Sequence, residues 1–161
     1  MSLDTLLSPN RSGLVIALAS AATLGAVFVA QYGFGLAPCE LCIAQRWPHA
    51  AAIVFGIAAL LLPRFRVALL VLAGLSLAIG DGIAIYHTGV EWHWWQGPTA
   101  CTGSGTPDSI EALRAQLLNT QVVRCDEVAF RFLGLSMAGW NVLWSALLVV
   151  FAGLAAKRAA N

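Results

Sequence analysis

Four stretches of this chain are nearly free of charge and rich in large apolar residues: Leu14–Tyr32, Trp47–Leu62, Val67–Tyr86 and Ala138–Ala156. Polar residues gather between them, most densely from Thr88 to Met137. About 20 apolar helical residues cross a hydrocarbon core about 30 Å thick. Three stretches approach that length, and the second reaches it if Ile43–Arg46 continue its helix. A soluble core hides one such helix, hardly four in 161 residues. The pattern predicts an all-α polytopic membrane protein, a single four-transmembrane-helix bundle over residues 1–161. Its spans fall near 14–32, 43–62, 67–87 and 138–156, with outer loops near 33–42 and 88–137.

Composition agrees, with 59% hydrophobic and 11% charged residues against about 25% charged in ordinary soluble domains. The basic residues orient the bundle. Arg11, Arg64, Arg66, Lys157 and Arg158 all flank short connections on one face, with Asp4 the one acid there. Basic residues in short loops stay cytoplasmic, and long loops count for less. Both termini are therefore expected in the cytoplasm, with 33–42 and 88–137 on the far side. Trp47, Trp92, Trp94, Trp95 and Trp140 gather at that outer boundary, as an interfacial aromatic belt does. The first span carries small residues at Ala19–Ala22 like a cleavable signal. Its apolar run continues about ten residues beyond them, so it reads as an uncleaved anchor.

The outer loop has a pattern of its own. Asp108-Ser-Ile-Glu111 reads as a capping box, and Ile110, Leu113, Leu117 and Leu118 then fall on one stripe. Glu111, Arg114 and Gln116 lie away from that stripe, so a short amphipathic helix is expected there. Gly97-Pro98, Gly103-Ser-Gly105 and Thr106-Pro107 are turn signals around it.

All four cysteines lie outside the apolar runs, on the outer face: Cys39, Cys42, Cys101 and Cys125. Cys101 and Cys125 alone suit a structural staple, worth roughly 3–4 kcal/mol by loop-closure entropy. Four cysteines can make a tetrahedral zinc site, but the second pair lacks knuckle spacing, so no metal site is read here. Cys39 and Cys42 close too small a loop to staple a fold, and Cys-x-x-Cys is the spacing of redox dithiols. Cys39, Cys42, Arg46 and His49 step by three, four and three along one stripe of a continuous helix. Exposed amides at the start of that helix, and Arg46 one turn below Cys42, favour a thiolate. Snorkelling to lipid phosphates would equally explain Arg46. Pro48 either deprives the Ala44 carbonyl of its partner in a helix that runs on with a kink, which is the reading preferred, or marks the first turn of a helix that starts at Trp47 and leaves only about 22 Å to Leu62. Asp81, in the third span, suits either a proton relay or a local cap or pair. His87 at its outer end suits a proton shuttle, a donor to a bound carbonyl, or simple interfacial packing.

Pro38-Cys-Glu-Leu-Cys-Ile-Ala-Gln-Arg46, Tyr86-His-Thr88, the loop cysteines and Phe132-Leu-Gly-Leu-Ser-Met137 together resemble the DsbB family of bacterial inner-membrane thiol oxidases. The resemblance covers nearly the whole chain. It implies a relay in which a reduced periplasmic thioredoxin-like protein of the DsbA type attacks the loop disulfide. Cys101 would form the mixed disulfide, Cys125 would exchange with Cys39, and Cys42 would pass the electron pair to a bound quinone, ubiquinone or menaquinone. Arg46 matches the family's quinone-contacting arginine, and His87 falls where a histidine lines the quinone region. Glu91 departs from the uncharged residue expected four positions after that histidine and receives no role. Pro48 and Trp92–Trp95 have no counterpart in the pattern.

Energetics bear on the acceptor. A DsbA-type disulfide sits near −120 mV and ordinary structural disulfides below about −300 mV, an opposing gap of about 180 mV or roughly 8 kcal/mol for two electrons. The loop disulfide must therefore be strained, or its reduction must be coupled to a strongly oxidising quinone. Two other classes use the same parts: a quinone reductase of the vitamin K epoxide reductase type, and a non-enzymatic membrane protein with a stapled loop. The order of the motifs, Cys-x-x-Cys ahead of the loop pair, favours the oxidase.

Overall fold

A computed structural model describes residues 3–8, 11–98, 109–110 and 123–161. A turn of helix, α1 (Leu3–Leu6), precedes α2 (Ser12–Phe28), which ends in a π-helical turn at Val29–Gly33. The next hydrophobic helix is made of α3 (Glu40–Ala44) and α4 (Arg46–Leu61). A 3-10 turn at Pro63–Phe65 leads into α5 (Arg66–Glu91). A two-stranded hairpin, β1 (Arg131–Phe132) and β2 (Leu135–Ser136), then opens α6 (Met137–Ala160). Four helices, spanning Ser12–Gly33, Glu40–Leu61, Pro63–Glu91 and Met137–Ala160, are long and apolar enough to cross a membrane. The second gains its length by taking in Glu40–Arg46, which brings it to 22 residues, or about 33 Å.

The helices pack up and down, α2 on α4, α4 on α5 and α5 on α6. Small side chains fill the seams: Ala52, Ala59, Ala73, Ala152 and Ala155 are buried beside Ile16, Leu70 and Leu77. Large apolar side chains point outward instead. Leu18, Val54, Leu75, Ile79, Leu147 and Val150 each expose more than half their surface. That inversion suits lipid, where helices gain by close backbone approach rather than by hiding leucines. At the tightest crossing, Gly13 and Gly56 face each other so closely that a Cβ on either would strike the other's carbonyl oxygen.

Two features differ from the sequence expectation. The second membrane helix is interrupted at Gln45, although Gln45 keeps right-handed helical dihedrals (φ −66°, ψ −18°). Pro48 supplies no N–H to the turn before it and packs on Gly80, where a Cβ would lie 2.8 Å from the proline ring. The third helix runs on to Glu91 rather than ending at His87, because Gly89, Val90 and Glu91 are all buried. Its end is sealed by the tryptophan run. Trp95 stacks on Tyr86 with ring centroids 6.0 Å apart, donates to the Tyr86 carbonyl at 2.8 Å, and lies directly over Gly89.

The hairpin turn is Leu133-Gly134, both at positive φ (50° and 85°), the primed geometry that matches the twist of paired strands. It delivers Ser136 as the N-cap of α6, where its Oγ accepts from Gly139 N at 3.0 Å. Cys101, Asp108 and the stripe of Leu113, Leu117 and Leu118 lie outside the described residues.

Candidate dithiol site

The outer ends of α3, α5 and α6 meet around Cys39. Cys39 is the N-cap of α3: its backbone is extended, and its sulfur accepts from the Cys42 amide at 3.2 Å. Its thiol donates to Cys42 Sγ at 2.9 Å, and both are free thiols. The hydrogen bond to Cys42, followed by burial, pushes the Cys39 thiol well above the ordinary thiol range. The amide at the start of the helix is spent on Cys39 rather than on Cys42.

Cys125 comes from the long loop, yet it is fully buried in one cluster with Cys39, Leu41 and Val90, with Cys42 and Val123 packed against it. On either side the chain returns to solvent. Arg124 grips Asp126 through two contacts, at 3.0 and 2.6 Å, and holds that half-buried carboxyl below the usual carboxylate range. The described residues thus gather three of the four sequence-predicted cysteines.

His87 completes the group. Its Nε2 lies 3.6 Å from Cys39 Sγ. Nδ1 faces the Gln45 amide nitrogen at 2.8 Å. Glu91, which the sequence left without a role, is buried one turn further along α5, 3.8 Å from His87 Nε2, and accepts from the Ser136 hydroxyl. The i, i+4 spacing of His87 and Glu91 is a signal the sequence carries, although the resemblance gives this position no role because an uncharged residue is expected there. Gln45 and Asn141 carried no sequence signal for their contact, because 96 positions separate them.

The predicted stripe of Cys39, Cys42, Arg46 and His49 divides at Gln45. His49 turns to Asn141 on α6 at 3.2 Å. Arg46 turns to α2, its guanidinium 5.1 Å from the centre of the Phe28 ring, which itself stacks on Tyr32. The buried Nε of Arg46 has no hydrogen-bond partner among the described residues. Asp81 takes no part in the cluster, and its Oδ1 is likewise without a partner there. The donor atoms of Cys39, Cys42 and His87 lie within 4.8 Å of one another, a trio of zinc-binding types that differs from the four-cysteine set weighed above.

Four membrane-crossing helices with a buried dithiol and a third cysteine at one end define a multi-pass membrane protein of thiol–disulfide chemistry. The family described as Disulfide bond formation protein DsbB matches residues 9–155. A Disulfide bond formation protein B of Xanthomonas campestris pv. campestris is 37% identical over 147 residues, 86% of this chain and 81% of its own. One from Xanthomonas euvesicatoria pv. vesicatoria is 36% identical over 153 residues, 88% of each chain. An uncharacterized protein of Rickettsia prowazekii is 27% identical over 144 residues, 88% of this chain and 84% of its own. No solved structure matches. The chain belongs to the DsbB family and is a disulfide-forming membrane oxidoreductase.

Proposed function

We propose that this protein is the thiol oxidase of a bacterial inner membrane. It reoxidises a periplasmic thioredoxin-like dithiol protein of the DsbA type and delivers the electrons to a membrane quinone. Both termini lie in the cytoplasm and the cysteines face the periplasm, by the basic-residue argument. The observation that carries the reading is the burial of Cys125 in the same cluster as Cys39 and Cys42. A loop staple has no reason to sit against a second dithiol, whereas an exchange step requires it.

The sulfur chemistry balances. A partner thiolate attacks Cys101 of a Cys101–Cys125 disulfide, forming a mixed disulfide and releasing the Cys125 thiolate. Cys125 attacks Cys39 of a Cys39–Cys42 disulfide, releasing Cys42. The partner's second thiolate then attacks its own mixed disulfide and leaves oxidised, expelling Cys101. Cys101 attacks Cys125, restores the loop disulfide and leaves Cys39 and Cys42 as the dithiol. The net change is one dithiol oxidised in the partner and one disulfide reduced here.

The residues around Arg46 fit a quinone. A buried guanidinium nitrogen without a partner offers a donor to a carbonyl oxygen, and the Phe28 and Tyr32 rings offer aromatic faces beside it. Arg46 would hold the head group, with His87 on the cysteine side. When bound, the quinone supplies a two-electron, two-proton acceptor, and both ubiquinone and menaquinone do so. Arg46 would orient it, with the Phe28 ring, itself stacked on Tyr32, beside the guanidinium.

The test is turnover of purified protein with reduced partner and quinone, followed by the quinone absorbance. Serine at any of Cys39, Cys42, Cys101 or Cys125 should abolish it. Activity surviving Cys39→Ser or Cys42→Ser would return the protein to the non-enzymatic class. An impermeant thiol reagent applied to intact cells after reduction should reach the cysteines from outside.

A further inference from the structure

The polar groups between α3, α5 and α6 form a chain with a direction, and one backbone carbonyl sets it. The Gln45 amide nitrogen donates to the Leu41 carbonyl at 3.1 Å. A carbonyl oxygen only accepts, so this end of the amide is the NH2 group. The same nitrogen lies 2.8 Å from His87 Nδ1, and its second hydrogen needs a lone pair there. A neutral imidazole that accepts at Nδ1 carries its proton on Nε2. Among the described residues that N–H faces two acceptors, Cys39 Sγ at 3.6 Å and Glu91 Oε1 at 3.8 Å.

The other end of the chain agrees. Gln45 Oε1 accepts from Asn141 Nδ2 at 2.7 Å, which turns Asn141 Oδ1 toward His49 Nε2 and Ser145 Oγ, each at 3.2 Å. The ring nitrogen of His49 left without a partner is Nδ1. In this polarity it is a bare lone pair, cheaper to orphan than an N–H. Every donor from Ser145 to His87 points the same way, toward the sulfur.

We propose that Gln45 and Asn141 are positioning residues that lock His87 as the Nε2–H tautomer, a donor aimed at Cys39, and so deny the Cys39–Cys42 pair the ring lone pair that zinc would need. Side-chain amides do not pass protons along at neutral pH, so the chain orients the ring rather than conducting through it. Two thiolates and an imidazole within 4.8 Å would otherwise suit zinc, and the imidazole must bind through a bare nitrogen. For His87 to bind through Nε2, its proton must move to Nδ1, against the Gln45 N–H. Turning the Gln45 amide over would set its oxygen against the Leu41 carbonyl and its NH2 against the Asn141 NH2. A dithiol held as zinc thiolate could not exchange disulfides. This inference stands on hydrogen-bond polarity and is read without turnover, so its failure and that of the thiol-oxidase reading are separable.

The test uses the full-length, reduced protein in detergent, labelled with 15N-histidine. The chain has three histidines, so the His87 signals are identified by their loss in His87→Asn. Long-range proton–nitrogen spectra should show a bare Nδ1 and a protonated Nε2. In Gln45→Glu the new carboxylate only accepts, so the tautomer should reverse. Titrated with Co2+ as the zinc probe, that variant should release two thiol protons and gain a sulfur-to-cobalt absorption band. It should bind Co2+ about 10–100-fold more tightly than the unsubstituted protein, the usual weight of a metal ligand's outer partner. A merely structural Gln45 would alter melting without reversing the tautomer. The proposal is overturned by a protonated Nδ1 in the unsubstituted protein, or by a Gln45→Glu protein with unchanged tautomer and Co2+ affinity. If Gln45→Glu does not fold, the unsubstituted spectrum decides alone.

Discussion

Replacing Gly13 with alanine strikes the closest helix crossing in the bundle. A Cβ at Gly13 would lie 2.5 Å from the Gly56 oxygen and 3.3 Å from Ala59 Cβ. Reciprocally, one at Gly56 would lie 2.6 Å from the Gly13 oxygen and 3.2 Å from Ala17 Cβ. Ordinary contact begins at 3.4 Å, so α2 and α4 must part by about 0.9 Å (3.4 minus 2.5). Both obstacles are backbone atoms, so no rotamer change relieves them. Overpacking of this kind costs about 1–3 kcal/mol, which at this chain length is roughly 2–4 °C of melting temperature per kcal/mol. Gly25 and Gly153 supply the controls, since a Cβ at either meets nothing within 4 Å. Alanine there should be neutral or stabilising by up to about 1 kcal/mol through helix propensity. Thermal unfolding in one detergent ranks the variants. If Gly13→Ala melts with or above Gly25→Ala, close backbone approach at this seam does not hold the bundle together.

Three further substitutions probe other parts. Arg46→Ala should raise the quinone KM at least tenfold while disulfide exchange with the partner continues; steady-state kinetics with quinone varied would expose an unchanged KM. Ser136→Ala removes both the α6 cap and the donor to buried Glu91, for a loss of about 2–4 kcal/mol. Pairing it with Glu91→Gln in a double-mutant cycle should show coupling, and strict additivity would mean that the two side chains act independently. Leu133→Gly should raise stability by about 1 kcal/mol, because a side chain at φ 50° strains the hairpin turn. A lower melting temperature would show that the exposed leucine itself anchors the turn.

The helices were legible because lipid imposes a length and a composition that few other environments demand, and the Cys39–Cys42 spacing names its own chemistry. What escaped the sequence was contact across distance. Asn141 looks like any polar residue in the first turn of a membrane helix until Gln45 is seen opposite it. Glu91 has no role in the sequence reading because it departs from the uncharged residue the resemblance puts there, whereas three further buried residues carry α5 past His87 and bring its carboxylate to Ser136. Pro48 announced a kink, but the interruption at Gln45 divides the stripe between two neighbouring helices, which spacing alone could not foresee. The hairpin was hidden for a plainer reason: leucine is an unusual choice for a left-handed turn position.

The hairpin also sets a leash. Cys125 is six positions ahead of Arg131, where the first strand begins. Six extended residues reach about 20 Å at most. With that strand fastened to the mouth of the bundle, the Cys125 sulfur can swing only within that radius. On the proposed relay, a visitor joined to Cys101 can therefore draw Cys125 no farther than this from the bundle, and the return stroke to Cys39 stays short.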